Sequence, residues 1–128
     1  MPTRAKSIKW LGDTKEELSG FPLAVRSVVG YALYLAEIGE LHKSVKALRG
    51  ELAGVDEIVV DGGDADTYRM LYMARLGDVI YALDAFKKKS TKGKNLAKRD
   101  LQRIKARLKT ARAHARGSHG NESSDHIG

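Results

Sequence analysis

One arginine and a run of lysines stand in segments whose patterning can hold them in place. Arg69 lies in Thr67-Tyr-Arg-Met-Leu-Tyr72, an alternating run that reads as a strand, and Lys87, Lys88 and Lys89 directly follow the apolar run Val79 to Phe86. A guanidinium presents a planar fork that grips two phosphate oxygens at once, and ammonium groups beside it stabilise further negative charge. Asp84 supplies a carboxylate that is ionised at neutral pH and weakly basic. Tyr68, Tyr72 and Tyr81 offer rings for stacking on a base or hydroxyls for hydrogen bonding. Lys46, Lys92 and Lys94 add cations in polar connections. Cleavage of an RNA phosphodiester needs a base for the 2′-OH, cations for the crowded phosphorane and an acid for the leaving oxygen. Each residue also has a plainer use. Arg69 can pair with Asp56 or Glu57, the lysine run can be a solvated loop, Asp84 can bridge to Lys or Arg, and the tyrosines can fill a core.

The charge distribution favours a polyanionic partner. The net charge is +7, yet Met1 to Phe86 carries 10 Lys and Arg against 13 Asp and Glu. Lys87 to Arg116 carries 13 basic residues against the single acid Asp100, a net of +12 in 30 residues. Such asymmetry suits nucleic acid, a ribosome, an acidic membrane surface or an acidic protein. The absence of cysteine excludes disulfides and thiolate chemistry, and a zinc site would have to be made without sulfur. No metal or other cofactor is expected. No apolar run is long enough for a membrane span, and the N-terminus lacks the apolar stretch of a signal peptide, so a cytoplasmic protein is the expectation.

The elements that must position these residues can be read from periodicity. Ala5 to Leu11 reads as a first strand, and Gly12-Asp13-Thr14 as a turn and helix cap before Lys15 to Leu18. Pro22 opens a helix from Leu23 to Ile38 whose buried stripe is Val25, Val28, Ala32, Leu35 and Ala36; Gly30 inside it suggests close packing against a neighbour. Leu41 to Gly54 reads as a polar connection. Asp56 to Val60, Thr67 to Ala74 and Val79 to Phe86 form an antiparallel meander, with Tyr68, Met70 and Tyr72 on one face and Arg69, Leu71 and Met73 on the other. Lys87 to Lys94 follows as a basic loop. A last helix runs from about Asn95 to Ala113 on a seam of Leu101, Ile104, Leu108 and Ala111. One domain over residues 1–113 is expected, with 114–128 as a disordered tail. The class is α+β: an antiparallel sheet of about four strands, two N-terminal helices packed on it, and a basic C-terminal helix.

Gly30-Tyr-Ala-Leu33, the loop around Lys46-Ala-Leu-Arg-Gly50, Thr67-Tyr-Arg-Met-Leu-Tyr72 and Ala82-Leu-Asp-Ala-Phe-Lys-Lys-Lys-Ser90 resemble the phage-derived, HigB-type branch of the RelE/ParE toxins. The resemblance covers roughly Lys9 to Leu108. It implies a RelE-like fold and the toxin of a type II toxin–antitoxin pair, neutralised by a cognate protein antitoxin of the helix-turn-helix type. It further implies metal-free cleavage of messenger RNA on the translating ribosome. Arg69 matches the strand arginine that contacts the scissile phosphate. Lys87, Lys88 and Lys89 match the basic cluster that holds RNA and supplies catalytic charge. The catalytic set is then Arg69, Lys87, Asp84 and Lys89, with Lys88, Lys46, Lys92, Lys94 and Tyr68 binding RNA. Asp84 stands where this branch commonly has histidine, which removes the natural proton carrier. That departure keeps open a non-catalytic alternative, either a gyrase-directed toxin of the ParE type or an inactive antitoxin-binding relative.

Overall fold

A computed structural model describes residues 7–63, 65–76, 78–89 and 96–127. Five strands make one sheet: β1 (Ser7–Trp10), β2 (Val45–Ala47), β3 (Asp56–Asp61), β4 (Asp66–Leu76) and β5 (Val79–Lys89), in the order β1-β5-β4-β3-β2. The meander β3-β4-β5 is antiparallel, β2 adds antiparallel to β3, and β1 lies parallel to β5 with Ser7 opposite Val79. Among the described residues three α-helices and a short 3-10 turn at Gly50–Leu52 complete the fold: α1 (Thr14–Ser19), α2 (Leu23–Glu37) and α3 (Lys98–Ile127).

Alternation along β4 divides the core into two layers. Tyr68, Met70 and Tyr72 join Val25, Val29, Ala32, Leu33 and Ala36 of α2, along with Ile58 and Ile80. Leu71 and Met73 join Ile104, Leu108 and Ala111 of α3, along with Val55, Tyr81 and Leu83. Period two therefore separates the faces as the sequence implied, and α2 and α3 cover opposite faces. Leu71 pairs with Asp84 and Tyr72 with Ala82, so Leu83 is the extra residue of a β-bulge. The bulge brings two successive side chains, Leu83 and Asp84, to the α3 face.

The structure corrects the sequence reading in five places. The sheet has five strands rather than four, because three residues of the supposed polar connection pair with β3: Val45 with Ile58, Lys46 with Glu57 and Ala47 with Asp56. A three-residue strand with a lysine at its centre has too little alternation to announce itself. Lys87, Lys88 and Lys89 extend β5 instead of opening a loop, since β4 supplies Tyr68, Thr67 and Asp66 as their partners. On α2 the buried stripe includes Val29 and Leu33, while Val28 and Leu35 are only half-buried. The last helix does not end at Ala113. It continues to Ile127, with Ala115 against the core and the Tyr81 hydroxyl 2.8 Å from His114 Nδ1.

Gly30 is the fifth correction. It faces outward, and a Cβ built there would meet nothing within 4 Å. Nothing in the packing requires the glycine. Gly30→Ala is expected to stabilise the fold by about 0.5–1 kcal/mol, read as a higher urea midpoint with an unchanged slope.

Candidate functional site: a cationic sheet face

Arg69 sits in the middle of the sheet, opposite Val59 on β3 and Phe86 on β5. Its side chain is 11% exposed, and Nη1 donates to Glu57 Oε2 at 2.8 Å. Glu57 is almost fully buried at 2%. Its other oxygen lies 3.7 Å from Nζ of Lys46, an exposed side chain on β2. The register explains this meeting: Lys46 lies directly opposite Glu57, and Glu57 opposite Leu71, one pleat from Arg69. One buried carboxylate therefore orients two cations. Nε of Arg69 is also buried and has no hydrogen-bond acceptor among the described residues.

The strand divides the lysine run. Lys88 lies opposite Thr67, on the Arg69 side of the alternation, and is half-buried. Lys87 lies opposite Tyr68 on the other face, with Nζ 3.8 Å from Asp66 Oδ2. Lys89 occupies the register position opposite Asp66. Lys92 and Lys94 lie outside the described residues. Arg69, Lys46 and Lys88 are thus brought to one face, and Lys87 is separated from them by the thickness of the sheet. Tyr68 is core rather than an RNA-stacking surface, with its ring edge-on to Phe21 at a centroid distance of 4.9 Å. Tyr72 and Tyr81 are buried too.

Asp84 is buried and fully engaged. Oδ2 accepts Nε and Nη2 of Arg103 at 3.0 and 2.7 Å, while Oδ1 accepts Arg107 Nη1 and the Ala85 N–H, both at 3.0 Å. Arg103 also reaches Asp100 at 2.8 Å, and Arg107 reaches the Leu83 carbonyl, Thr14 and Asp13. Both carboxylate oxygens already hold donors, so the geometry assigns Asp84 to fastening β5 to α3 and leaves little for a substrate. Burial opposes the charge on Arg103, but its bonds to Asp84 and Asp100 outweigh that and raise its pKa. The Arg107 hydrogen bond holds the carboxyl of Asp13 below its ordinary value.

Sequence reasoning named Glu57 as one possible partner of Arg69 and a salt bridge as the plainer use of Asp84, but missed the roles of Arg103 and Arg107. It also left unlocated a basic groove of about 200 Å³ along α3, lined by Lys105, Lys109, Arg112 and Arg116 with Glu51 and Leu108. The spacing of these four cations, by four, three and four, places them on one helix face. Lys105 bridges to Glu51, which leaves a net excess of cations. Among the described residues no group of three His, Cys, Asp or Glu side chains is arranged to hold a metal. No helix among them is long and apolar enough to cross a membrane.

Tyr72 gives a direct test of the interior. Burial, and then the nearby Asp56, push its hydroxyl up to about 12 from 10.0. Below pH 10 the hydroxyl is protonated in folded and unfolded chains alike. Above it the unfolded chain ionises first, so stability falls as pH rises towards 12. Over that interval the natural chain should lose about 2–3 kcal/mol more than Tyr72→Phe, measured by urea titration at several pH values.

A solved structure, that of the toxin–antitoxin complex RelBE2 from Mycobacterium tuberculosis, matches with a TM-score of 0.47 and 20% identity, over 66% of this chain and 99% of that one. No curated protein matches the sequence. The family model described as phage-derived protein Gp49-like matches residues 16–109. With most of its length inside that match, the chain belongs to the phage-derived Gp49-like family, a RelE/HigB-type toxin family.

Proposed function

We propose that this toxin is a metal-free messenger-RNA endonuclease acting on the translating ribosome, held in check by a cognate protein antitoxin of the helix-turn-helix type. The observation that carries the reading is the cationic face, where Arg69 and Lys46 share one buried carboxylate and Lys88 lies on the same side. Charge there comes from groups held by strands, which is what stabilising a phosphorane demands. The groove on α3 supports the same reading, because cations along one helix face suit a phosphate backbone. Arg69 then grips phosphate oxygens, and Lys46 and Lys88 hold the flanking backbone.

A specific observation favours the non-catalytic alternative. Asp84, in the position of the family's histidine, is clamped by two arginines, so no proton carrier is evident at that point of β5. Such a chain would act by binding alone, on gyrase or on its antitoxin.

Induction in a bacterium, with growth and transcript 5′-ends followed together, separates the readings. The expected result is arrest with new ends inside translated regions, and at least tenfold fewer ends for Arg69→Lys, which keeps a charge for Glu57 but loses the fork. Arrest with intact transcripts would move the chain to the binding class. No arrest from folded protein would identify an inactive relative.

A further inference from the structure

Opposite the stripe that α2 buries, the helical period lines up Leu23, Ser27, Gly30, Tyr34 and Ile38, with Tyr31 beside them. Its large side chains stand in solvent: Leu23 is 70% exposed, Tyr31 55% and Tyr34 53%. The two rings stack on each other at 6.4 Å. No charge falls on this row, in a chain with 30% charged residues. An apolar row of this extent on the surface of a strongly charged protein marks a contact face.

The charges of α2 say what the face would meet. Arg26 and Glu37 are the charged residues of the helix, about three turns apart and so on one edge of the row. Each stands at the end the helix dipole disfavours, the cation in the first turn and the carboxylate in the last. The first turn holds no acid and the last no base to offset them. Nε of Arg26 donates to the Phe21 carbonyl at 3.0 Å, and among the described residues neither charge has an ion-pair partner.

A second copy laid antiparallel answers both features. About a two-fold axis between Gly30 and Tyr31, Leu23 meets the other copy's Ile38, Ser27 its Tyr34 and Gly30 its Tyr31. Each small residue then faces a ring, so the helices can approach closely. Arg26 comes beside the other copy's Glu37, twice by symmetry, and each charge lies near the helix end that favours it. A parallel pair would set like charges together, so charge selects the antiparallel arrangement. We propose that two copies of this chain associate through their α2 helices in this register. The contact is one helix pair about 22 Å long, which gives a reversible dimer at the small end of specific interfaces. Basic α3 lies behind the opposite face of the sheet, so the two most positive surfaces point away from each other. The dimer is independent of the RNA reading, because Arg69 lies on the α3 side of β4.

The test is sedimentation equilibrium of the full-length protein over roughly 5–500 µM. The expected result is a mass rising from one chain towards two. Arg26→Glu or Glu37→Arg alone should weaken association about tenfold, since two symmetric pairs become repulsive, and the double variant should restore it. Both reversals suit the dipole of α2, so a lost dimer is not a lost fold. Gly30→Gln serves as an independent variant. A Cβ there meets nothing within the chain, but its side chain would wedge against the other copy's Tyr31 and weaken the dimer by a similar factor. The mass of one chain at every concentration would overturn the proposal and leave the face to a different protein. A dimer indifferent to Gly30→Gln, or single reversals that the double variant does not rescue, would overturn it equally.

Discussion

Arg69→Ala is expected to lower stability by roughly 3 kcal/mol, because it strands the carboxylate of Glu57 inside the sheet. Glu57 is almost without solvent contact, and its shortest bond is the one from Arg69. Lys46 remains at 3.7 Å but is largely in water, so it compensates only in part. The melting temperature should fall by about 10 °C. Adding Glu57→Gln should recover at least ~1 kcal/mol, since the unpaired charge is then gone. A urea midpoint unmoved by Arg69→Ala would show that Glu57 does not depend on the arginine. The consequence for the functional test is direct: loss of toxicity in Arg69→Ala would mix a missing phosphate ligand with a weakened fold, whereas Arg69→Lys separates them.

The second large effect is at Asp84. Replacing it with alanine should cost about 3–5 kcal/mol, since two guanidiniums are left beside each other with no anion between them. Asp84→His, which installs the residue that the sequence resemblance implies at this position, should be no better. An imidazole cannot accept four donors, and below its pKa it adds a third positive charge. Urea unfolding at pH 8 and pH 6 checks this, with Asp84→His losing more at pH 6. A histidine variant as stable as the natural chain at both values would show that the arginines relax freely into solvent. The aspartate is thus matched to Arg103 and Arg107, which tie β5 to α3 through it.

What could be read from the residues was whatever a period makes visible. Strict alternation in β4 sorted Arg69 from Tyr68 correctly, and the spacing of Leu101, Ile104, Leu108 and Ala111 set the buried seam of α3. Lys87 to Lys89 went unrecognised as strand because three charges in a row hide alternation; only pairing with Asp66 to Tyr68 reveals it. The phase of α2 slipped because Val28, Val29, Leu33 and Leu35 are all apolar, so composition alone admits more than one stripe. Long-range partners such as Asp13 with Arg107, or Asp84 with Arg103, have no local signature at all. Tyr68 was offered as a stacking ring by its chemistry, yet its strand face assigned it to the core.

The final helix also dictates when the protein can become itself during synthesis. Val55, Leu71, Met73 and Leu83 lack the cover of α3 until Ile104, Leu108 and Ala111 are made after them. Arg107 must then reach back to Asp13, made long before it. Until the ribosome has released that helix, the sheet carrying Arg69 stands open on one side. A nascent chain therefore exposes an apolar sheet face until α3 has emerged, and the finished toxin forms only then.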